Sequence, residues 1–299
     1  MKLSRNREKS SICCGVKLYS QDFFNSIEDR IWLSSGTQTV STANGYKFHN
    51  CAYIPKTPWR RPTSEEISKL LSNQYPHTNN LPEHIVIFPF PLNIYSELNR
   101  ALHIKCKMEG IEKIQLLSDN KKLIQETDLR LEVNVFNKYI VNNFLLPNSR
   151  LVEEAIYLSR KCISSSWYEK NKSLVGLHVD DWDGGSIEQR RTISLPKIAL
   201  NLGNSQRYLL FINISLVDIY KKLNAQGLKT TGNCNSLIKL FLRTFPEYPV
   251  VKIAIQPGEA YSLFADYIIH DGYPINMKSF DFHIHVRGQF SFQKCSINT

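Results

Sequence analysis

The sequence predicts an α+β protein in which helices of the N-terminal half buttress a barrel or sandwich of short strands in the C-terminal half. From about residue 174 onward, short apolar runs alternate with Gly, Pro and Asn, which is typical of many short strands joined by turns. Before that point, apolar residues recur at helical spacing. We therefore expect a single domain over residues 1–299, with mainly helical support in 1–173 and a strand core in 174–292 that contains a helical insertion near 217–245.

Two helix starts can be placed in the N-terminal half. Thr63 and Glu66 have the spacing of a capping box, and apolar side chains follow on one helical stripe, at Ile67, Leu70 and Leu71. Ser149 is predicted to cap another helix, whose apolar residues are Leu151, Ala155, Leu158 and Cys162. Residues 84–146 are expected to hold two or three more helices.

The strand-rich half is predicted to contain strands near residues 174–180, 192–201, 207–216, 250–256, 260–264, 266–270 and 281–292. One interruption is helical, because Asn235 or Ser236 can cap a segment that ends before Pro246 and carries the apolar residues Leu237, Leu240 and Phe241. This half alone is too small to cover the outer faces of its sheets, so we expect the helices to pack there.

Composition narrows the class of protein. The net charge is +10, but the positive residues occur in short pairs, so a solvated surface is favoured over a nucleic-acid groove, which stays open as an alternative. No apolar run of about 18 residues predicts a membrane span, and the charged N-terminus lacks the apolar stretch of a secretory signal. The seven scattered cysteines include no C-x-x-C pair, which favours reduced thiols and a cytoplasmic protein over a zinc ribbon.

A His-x-Asp pair and a distant histidine form the main candidate site. His178 and Asp180 are two residues apart in a predicted strand, so their side chains point to the same face. His270 lies 90 residues beyond Asp180, at the end of another predicted strand. Two imidazoles and one carboxylate can occupy one face of an octahedral metal and leave three positions open, which is the ligand set of non-haem Fe(II) oxygenases. A hydrogen-bonded structural histidine is the alternative for His178 taken alone.

The last predicted strand carries four ionisable residues on one face: Asp281, His283, His285 and Arg287. Its other face is apolar. A polar face turned to solvent is common in antiparallel sheets, but the nearby candidate ligands favour a polar face turned into the barrel. In that orientation, His283 or His285 can support the metal ligands or take the place of His270.

These motifs together resemble the Fe(II)/2-oxoglutarate-dependent oxygenases. The resemblance covers residues 174–292 and rests on His178-Val179-Asp180, on Pro257-Gly258-Glu259-Ala260 leading to Ile268-Ile269-His270-Asp271-Gly272, and on a late arginine. It implies a double-stranded β-helix, or jelly-roll, core in which His178, Asp180 and His270 bind Fe(II).

The same resemblance implies 2-oxoglutarate as co-substrate, together with O2. Arg287, 17 residues after His270, would pair with the far carboxylate of 2-oxoglutarate, and Arg207 is its competitor because some members place this cation on an earlier strand. Either guanidinium is suited to bidentate carboxylate binding.

The resemblance further implies a hydroxylase, or an enzyme of an allied oxidation such as desaturation, because Asp180 keeps the carboxylate that related halogenases replace with a small residue. We expect a small-molecule substrate, an amino acid or a peptide-derived metabolite, and no membrane partner. The candidate substrate-facing residues are Asp181, Trp182, Asp183 and His283. The same chemistry on nucleic acid or protein is one alternative. A non-enzymatic, cupin-like protein that binds another metal or ligand is a second alternative, from a different functional class.

Overall fold

The computed structural model of the protein describes residues 12–21, 26–108, 121–122, 130–159, 162–228, 234–275 and 281–292. The helices are α1 Ser64–Leu70, α2 Leu92–Met108, α3 Arg130–Asn143, α4 Ile187–Ile193, α5 Leu216–Asn224 and α6 Cys234–Thr244. The strands are β1 Lys17–Ser20, β2 Ile31–Leu33, β3 Thr37–Ala43, β4 Tyr46–Pro55, β5 His84–Pro89, β6 Lys121–Lys122, β7 Glu153–Ser159, β8 Trp167–Tyr168, β9 Ser173–Leu174, β10 Lys197–Asn201, β11 Arg207–Ser215, β12 Val251–Ile255, β13 Glu259–Leu263, β14 Ile268–Gly272 and β15 Asp281–Arg287. The fold is therefore a mixed α+β one.

Two sheets share most of the apolar core. The larger sheet has the order β1-β5-β13-β10-β15-β7-β6, and the smaller has the order β14-β11-β12-β2. From β10 onward, successive strands of the chain change sheet repeatedly, so the two sheets are connected many times. The buried apolar cluster draws residues from strands of both sheets, such as Ile198, Phe211, Ile253 and Ile284.

Helices cover the outer face of the larger sheet, as predicted. On β15, Phe282 is fully buried, and its ring meets the His103 ring of α2 edge-on at 5.8 Å. Phe90 stacks on Phe136 of α3, with ring centroids 5.3 Å apart. Because side chains alternate along a strand, the polar residues of β15 face the opposite way from Phe282, toward the smaller sheet.

A third sheet, with the order β3-β4-β9-β8, flanks the His-x-Asp segment. Gly176 approaches β4 so closely that a Cβ atom there would lie 2.5 Å from the Tyr53 carbonyl oxygen, and its φ of +76° is one that side chains disfavour. The Leu177 amide then donates to the same Tyr53 carbonyl at 2.8 Å. Glycine at position 176 thus lets the chain run along β4 and present His178.

The prediction of a mainly helical segment over residues 1–173 is wrong for the described part of the chain, which also contains β1–β9. The helix predicted to follow Ser149 is strand β7 instead. Its backbone pairs with β15 along the whole length from Glu153 to Ser159, and such tertiary pairing overrides a helical spacing of apolar residues. The capping box of Thr63 and Glu66 is confirmed at the start of α1.

The predicted strands of the C-terminal half are confirmed from β11 to β15, with small shifts at their ends. Two predictions need correction. The predicted strand 174–180 is reduced to the end of β9 and a single bridge between His178 and His270. Residues at the start of the predicted strand 192–201 belong to α4, whose N-cap Ser186 forms a capping box with Gln189. The helical insertion consists of two helices, α5 and α6.

A buried ion pair ties the N-terminal segment to the larger sheet. The Arg30 Nη1 atom lies 2.7 Å from both carboxylate oxygens of Glu259, at the start of β13. Glu259→Ala leaves a buried guanidinium without its partner, so we expect a loss of about 3–5 kcal/mol in the free energy of unfolding, measured by urea denaturation. The double variant Arg30→Met with Glu259→Leu is the control and is expected to regain most of that loss. An unchanged urea midpoint for Glu259→Ala would contradict this role.

Among the described residues, no helix combines the length and the apolar character needed to cross a bilayer.

Candidate metal centre

Backbone pairing brings the three predicted ligands together. The His178 amide donates to the His270 carbonyl at 3.1 Å, and the His270 amide donates back to the His178 carbonyl at 2.8 Å. The Asp180 amide donates to the Ala265 carbonyl at 3.0 Å, which fixes the next part of the segment. One potential ligand atom from each of His178, Asp180 and His270 lies within 4.8 Å of the others. Small side-chain adjustments would place all three about 2 Å from one ion.

Both imidazoles present the same nitrogen to the centre. The Nδ1 atom of His178 lies 2.7 Å from the Gly176 carbonyl oxygen, and the Nδ1 atom of His270 lies 3.0 Å from the Ile268 carbonyl oxygen. A carbonyl only accepts, so each Nδ1 carries a proton. Nε2 of His270 keeps its lone pair, whereas Nε2 of His178 shares a proton with the Asp180 carboxylate and would have to release it to bind a metal ion. Metal-ligating histidines are usually held in this way by a backbone carbonyl or a carboxylate. The donor set therefore fits a divalent metal ion.

The protonation states of His178, Asp180 and His270 depend on their burial and on the charges around Asp180. Burial lowers the pKa of His270 to about 3, so its imidazole is neutral. Burial also opposes protonation of His178, but the hydrogen bond and the charge of Asp180 outweigh it and raise the pKa of His178. Burial alone would raise the pKa of Asp180, yet the Lys197 ammonium and the His178 hydrogen bond hold it well below its usual range. Asp180 is thus a carboxylate, as a ligand must be.

Lys197, at the start of β10, is a further member of the site. Its Nζ atom lies 2.9 Å from Oδ2 of Asp180, while Oδ1 of Asp180 lies 3.3 Å from Nε2 of His178. Oδ2 of Asp180 therefore contacts a cation, whereas Oδ1 faces the other candidate ligand atoms. Lys197 also pairs along the backbone with Arg287 of β15.

Arg190, a buried residue of α4, connects the two segments that carry the candidate ligands. Its Nη1 atom donates to the Asp180 carbonyl at 3.0 Å and to the Asp266 carbonyl at 3.2 Å, and its Nη2 atom pairs with the Asp181 carboxylate. One guanidinium thus bridges the end of the His-x-Asp segment to the turn before β14, which carries His270.

Arg190→Lys keeps the positive charge but removes the planar fork that reaches both carbonyls. We expect metal affinity about tenfold weaker or worse, because groups that orient ligands contribute on that scale. The measurement is a Co(II) titration by absorption, with the melting temperature of the metal-free protein as control. Unchanged Co(II) affinity would show that the bridge does not position the ligands.

The polar face of β15 points between the two sheets, as favoured by the sequence. Asp281, His285 and Arg287 are buried, and His283 is partly so. Arg207 of β11, in the smaller sheet, reaches across and places its Nε atom 3.3 Å from Oδ1 of Asp281. Burial and the charge of Arg207 hold the pKa of His283 well below its usual range, so this imidazole is neutral. The space between the sheets therefore holds several buried basic groups.

The loop after Asp180 is held by internal contacts. Asp183 accepts from Nη2 of Arg287 at 2.7 Å and from the Leu195 amide at 2.9 Å. Trp182 is 56% exposed, and its ring lies 5.2 Å from the guanidinium carbon of Arg287. Asp181 and Asp183 are thus both paired with arginines of the chain itself, whereas Trp182 presents an open surface.

A cavity of about 280 Å³ lies on one side of the His-x-Asp segment. His178 contributes to its wall, together with His49, Tyr168, Lys239 and the apolar Ala52 and Ile238. The His49 and Tyr168 rings meet edge-on at 5.3 Å. The cavity has aromatic and apolar walls and a lysine side chain, and it lies beside a candidate ligand. Such a lining is usual for a small-molecule site.

Two residues of the candidate metal centre, Arg190 and Lys197, were not predicted from the sequence. Arg190 belongs with Arg191 to one of the short positive pairs that predict a solvated surface, and the sequence carries no signal for Lys197. The capping box at Ser186 and Gln189 was an available signal, since it places Arg190 in a short helix close behind Asp180. Nothing local indicates the contact between Lys197 and Asp180, because it depends on how the strands pair.

Comparison with known proteins gives distant structural matches. No family model and no curated protein matches the sequence. The Kdo hydroxylase KdoO, a non-heme Fe(II) alphaketoglutarate-dependent dioxygenase, matches at 14% identity and a TM-score of 0.39, over 70% of this chain and 79% of that one. HygX from Streptomyces hygroscopicus, solved with nickel and 2-oxoglutarate, matches at 11% identity and a TM-score of 0.36, over 70% and 83%. AviO1 from Streptomyces viridochromogenes Tue57 matches at 11% identity and a TM-score of 0.40, over 67% and 86%.

Proposed function

We propose that the chain is an Fe(II)/2-oxoglutarate-dependent dioxygenase that hydroxylates a small molecule. The observation that carries this proposal is the cluster of His178, Asp180 and His270, in which backbone carbonyls hold both Nδ1 atoms and the carboxylate is ionised. Two imidazoles and one carboxylate leave room on the metal for a bidentate co-substrate and for O2. A structural site with four protein ligands would offer no such room.

The strand order supports a double-stranded β-helix core for this enzyme. Strands β7, β10, β13 and β15 lie in the larger sheet, whereas β11, β12 and β14 lie in the smaller sheet, where His178 bridges to β14. Two facing sheets built from strands that alternate in this way are the arrangement of a jelly-roll. The proposed ligands then lie where the single bridge at His178 meets the edge strand β14 of the smaller sheet.

Arg207 is the better supported partner for the far carboxylate of 2-oxoglutarate. Its side chain is almost fully buried, and Nη1 has no hydrogen-bond partner in the described part of the chain. Its Nη2 atom would lie 3.4 Å from a Cβ atom at Gly272, two residues beyond His270 and about 7 Å further along the strand. Arg207 therefore lies far enough from the candidate ligands to bind one end of a co-substrate whose other end binds iron. Arg287 is instead tied to the Asp183 loop.

Each residue has a defined task in the proposed reaction. His178, Asp180 and His270 would hold Fe(II), which supplies the oxygen chemistry when it is bound. Lys197 orients the Asp180 carboxylate, Arg190 fixes the ligand-bearing segments, and the neutral His283 lies in the buried space that the co-substrate would enter. The burial of these groups limits access of water to the site.

The substrate proposed here is a small molecule that approaches from the cavity beside His178. Asp181 and Asp183 are paired with arginines, so they offer less support for an amine-bearing substrate than their sequence position suggested. An amino-acid-derived substrate stays within the proposal, with Trp182 and His283 as candidate contacts. Lys239 in the cavity wall favours substrates that carry an anionic group.

The test is formation of succinate from 2-oxoglutarate by the Fe(II)-loaded protein in air, which such oxygenases perform slowly even without their substrate. The matched control is Asp180→Ala, which removes one proposed ligand. Succinate that depends on Fe(II) and on Asp180 would support the proposal. Succinate at the level of the Asp180→Ala protein would reject it.

A further inference from the structure

The cavity beside His178 is bounded by two parts of the chain that lie outside the two facing sheets. One wall contains His49 and Tyr53 of β4, in the third sheet, and another is formed by helix α6. The volume of about 280 Å³ is close to the lower end of the range of about 300–1,000 Å³ that is usual for small-molecule pockets. The cavity therefore suits a molecule much smaller than a folded protein or a nucleic-acid strand.

One face of helix α6 lines the cavity. Asn235, Ile238 and Lys239 all belong to the lining, and their spacing of three and four residues places them on the same side of the helix. Ile238 is buried, whereas Asn235 and Lys239 are exposed. The helix therefore contributes an apolar side chain to the inner part of the cavity and polar side chains to its opening.

The Lys239 ammonium lies at this opening without an acidic neighbour. Its Nζ atom lies 3.5 Å from the Asn50 carbonyl oxygen, and no ion pair among the described residues includes it. By contrast, Lys69, Lys197 and Lys221 each pair with a carboxylate of the chain. An ammonium has three N–H donors, so Lys239 can bind an anionic group and keep its contact with Asn50.

The polar part of the lining favours an anion over a cation. Within the described residues, no acidic side chain lines the cavity. Apart from Lys239, its polar side chains are amides, phenols and imidazoles, those of Asn50, Asn235, Tyr53, Tyr168, His49 and His178. A substrate carboxylate would thus meet a cation and neutral donors, whereas a substrate ammonium would meet a like charge and no carboxylate.

The rest of the lining is aromatic and apolar. The rings of His49 and Tyr168 meet edge-on, with centroids 5.3 Å apart. Ala52, Leu177 and Ile238 are buried hydrophobic residues that also line the cavity. An apolar or aromatic group that enters this space would remove such surface from water, which stabilises the complex without any further charge.

We propose that the substrate is a small carboxylate with an apolar or aromatic body, which Lys239 binds at one end and which reaches His178 at the other. This proposal rests on the proposed dioxygenase function for turnover, whereas binding of the carboxylate requires no metal. Lys239 is then a specificity-determining residue. It favours an acid over a neutral or cationic molecule of the same shape, and the end of the substrate remote from the carboxylate lies nearest the candidate metal centre.

The test compares three probes of similar shape on the metal-free, full-length protein: 3-phenylpropionate, 3-phenylpropanamide and 3-phenylpropylamine. Their dissociation constants are measured by ligand-observed NMR titration near neutral pH at low salt, where ion pairs are least screened. We expect the acid to bind about fivefold more tightly than the amide, as one accessible ion pair allows, and the amine to bind most weakly. Equal affinities for the acid and the amide, absence of binding by the acid, or tightest binding by the amine would each overturn the proposal.

Variants test whether Lys239 is the carboxylate partner. Lys239→Gln is expected to bind the acid and the amide equally, and Lys239→Arg is expected to keep the preference for the acid. The matched control is Lys221→Gln, which removes an exposed lysine of α5 and is expected to keep the preference as well. Tyr168→Ala is expected to weaken the acid and the amide alike, because it removes apolar contact and no charge. A preference that survives Lys239→Gln would overturn the role of Lys239.

The same experiments separate this proposal from the dioxygenase function. If the Fe(II)-loaded parent protein formed no succinate, the dioxygenase function would be rejected, and the affinities measured without metal would still stand. If the parent protein formed succinate but bound the acid and the amide equally, the dioxygenase function would be retained and the carboxylate substrate would be rejected.

Discussion

His270→Ala is expected to abolish Fe(II) binding, with a loss of more than about 100-fold in affinity. Removing a ligand costs more than removing a group that merely orients one, and the latter already costs about 10–100-fold. The substitution deletes one of the three donors that the backbone pairing of His178 and His270 brings together. His178→Ala is expected to have the same effect. The measurement is anaerobic equilibrium dialysis against Fe(II), with circular dichroism to confirm that the variants are folded.

His285→Ala is the matched control for the histidine variants. His285 is buried on β15, between the same two sheets, but does not belong to the cluster of ligand atoms. We expect this variant to bind Fe(II) within a few-fold of the parent protein. If His285→Ala lost the metal and His270→Ala kept it, the ligand assignment would be wrong and a residue of β15 would replace His270.

Arg207→Gln is expected to raise the KM for 2-oxoglutarate by at least about 30-fold. Removing one partner of a buried charge pair costs about 2–5 kcal/mol, and about 1.4 kcal/mol corresponds to a factor of ten. Glutamine keeps the approximate length and polarity but removes the charge and the bidentate fork. The measurement is succinate formation as a function of 2-oxoglutarate concentration, with Fe(II) saturating.

Arg287→Gln is the comparison, because both arginines are buried on strands and both are paired with an aspartate. Because Arg287 contacts Asp183, we expect Arg287→Gln to loosen the loop after Asp180. We expect it to raise the KM for 2-oxoglutarate less than Arg207→Gln does. A larger effect for Arg287→Gln would exchange the two assignments. Equal, small effects for both variants would place the carboxylate partner elsewhere, with Lys197 as the next candidate.

The positions of the strands after residue 197 could be predicted because each is a short apolar run with a turn residue at its end. Turn residues such as Gly258 mark these ends in the sequence. The strand character of β7 could not be predicted, since its apolar residues also fit a helix and only its pairing with β15 decides between the two. Local spacing carries no information on a partner that lies more than 100 residues away in the sequence.

For the site, the pattern His-x-Asp gave two candidate ligands on one face, but the structure shows a mostly non-strand segment with one bridge at His178. That bridge to His270, and the carbonyls that hold both Nδ1 atoms, are long-range or conformational features that residue types do not encode. The same holds for Arg190 and Lys197, whose roles depend on where α4 and β10 pack. Residue chemistry therefore indicates the candidate donors, and the fold supplies the groups that orient them.

In the proposed enzyme, His178, Asp180 and His270 bind Fe(II) and leave positions for 2-oxoglutarate. The most direct measurement is the visible absorption spectrum of the metal-free protein after anaerobic addition of Fe(II) and 2-oxoglutarate. We expect a charge-transfer band of the chelate that is lost in His178→Ala and in His270→Ala. Well-folded parent protein that shows no band would contradict the assignment as a dioxygenase and favour a non-enzymatic binding protein.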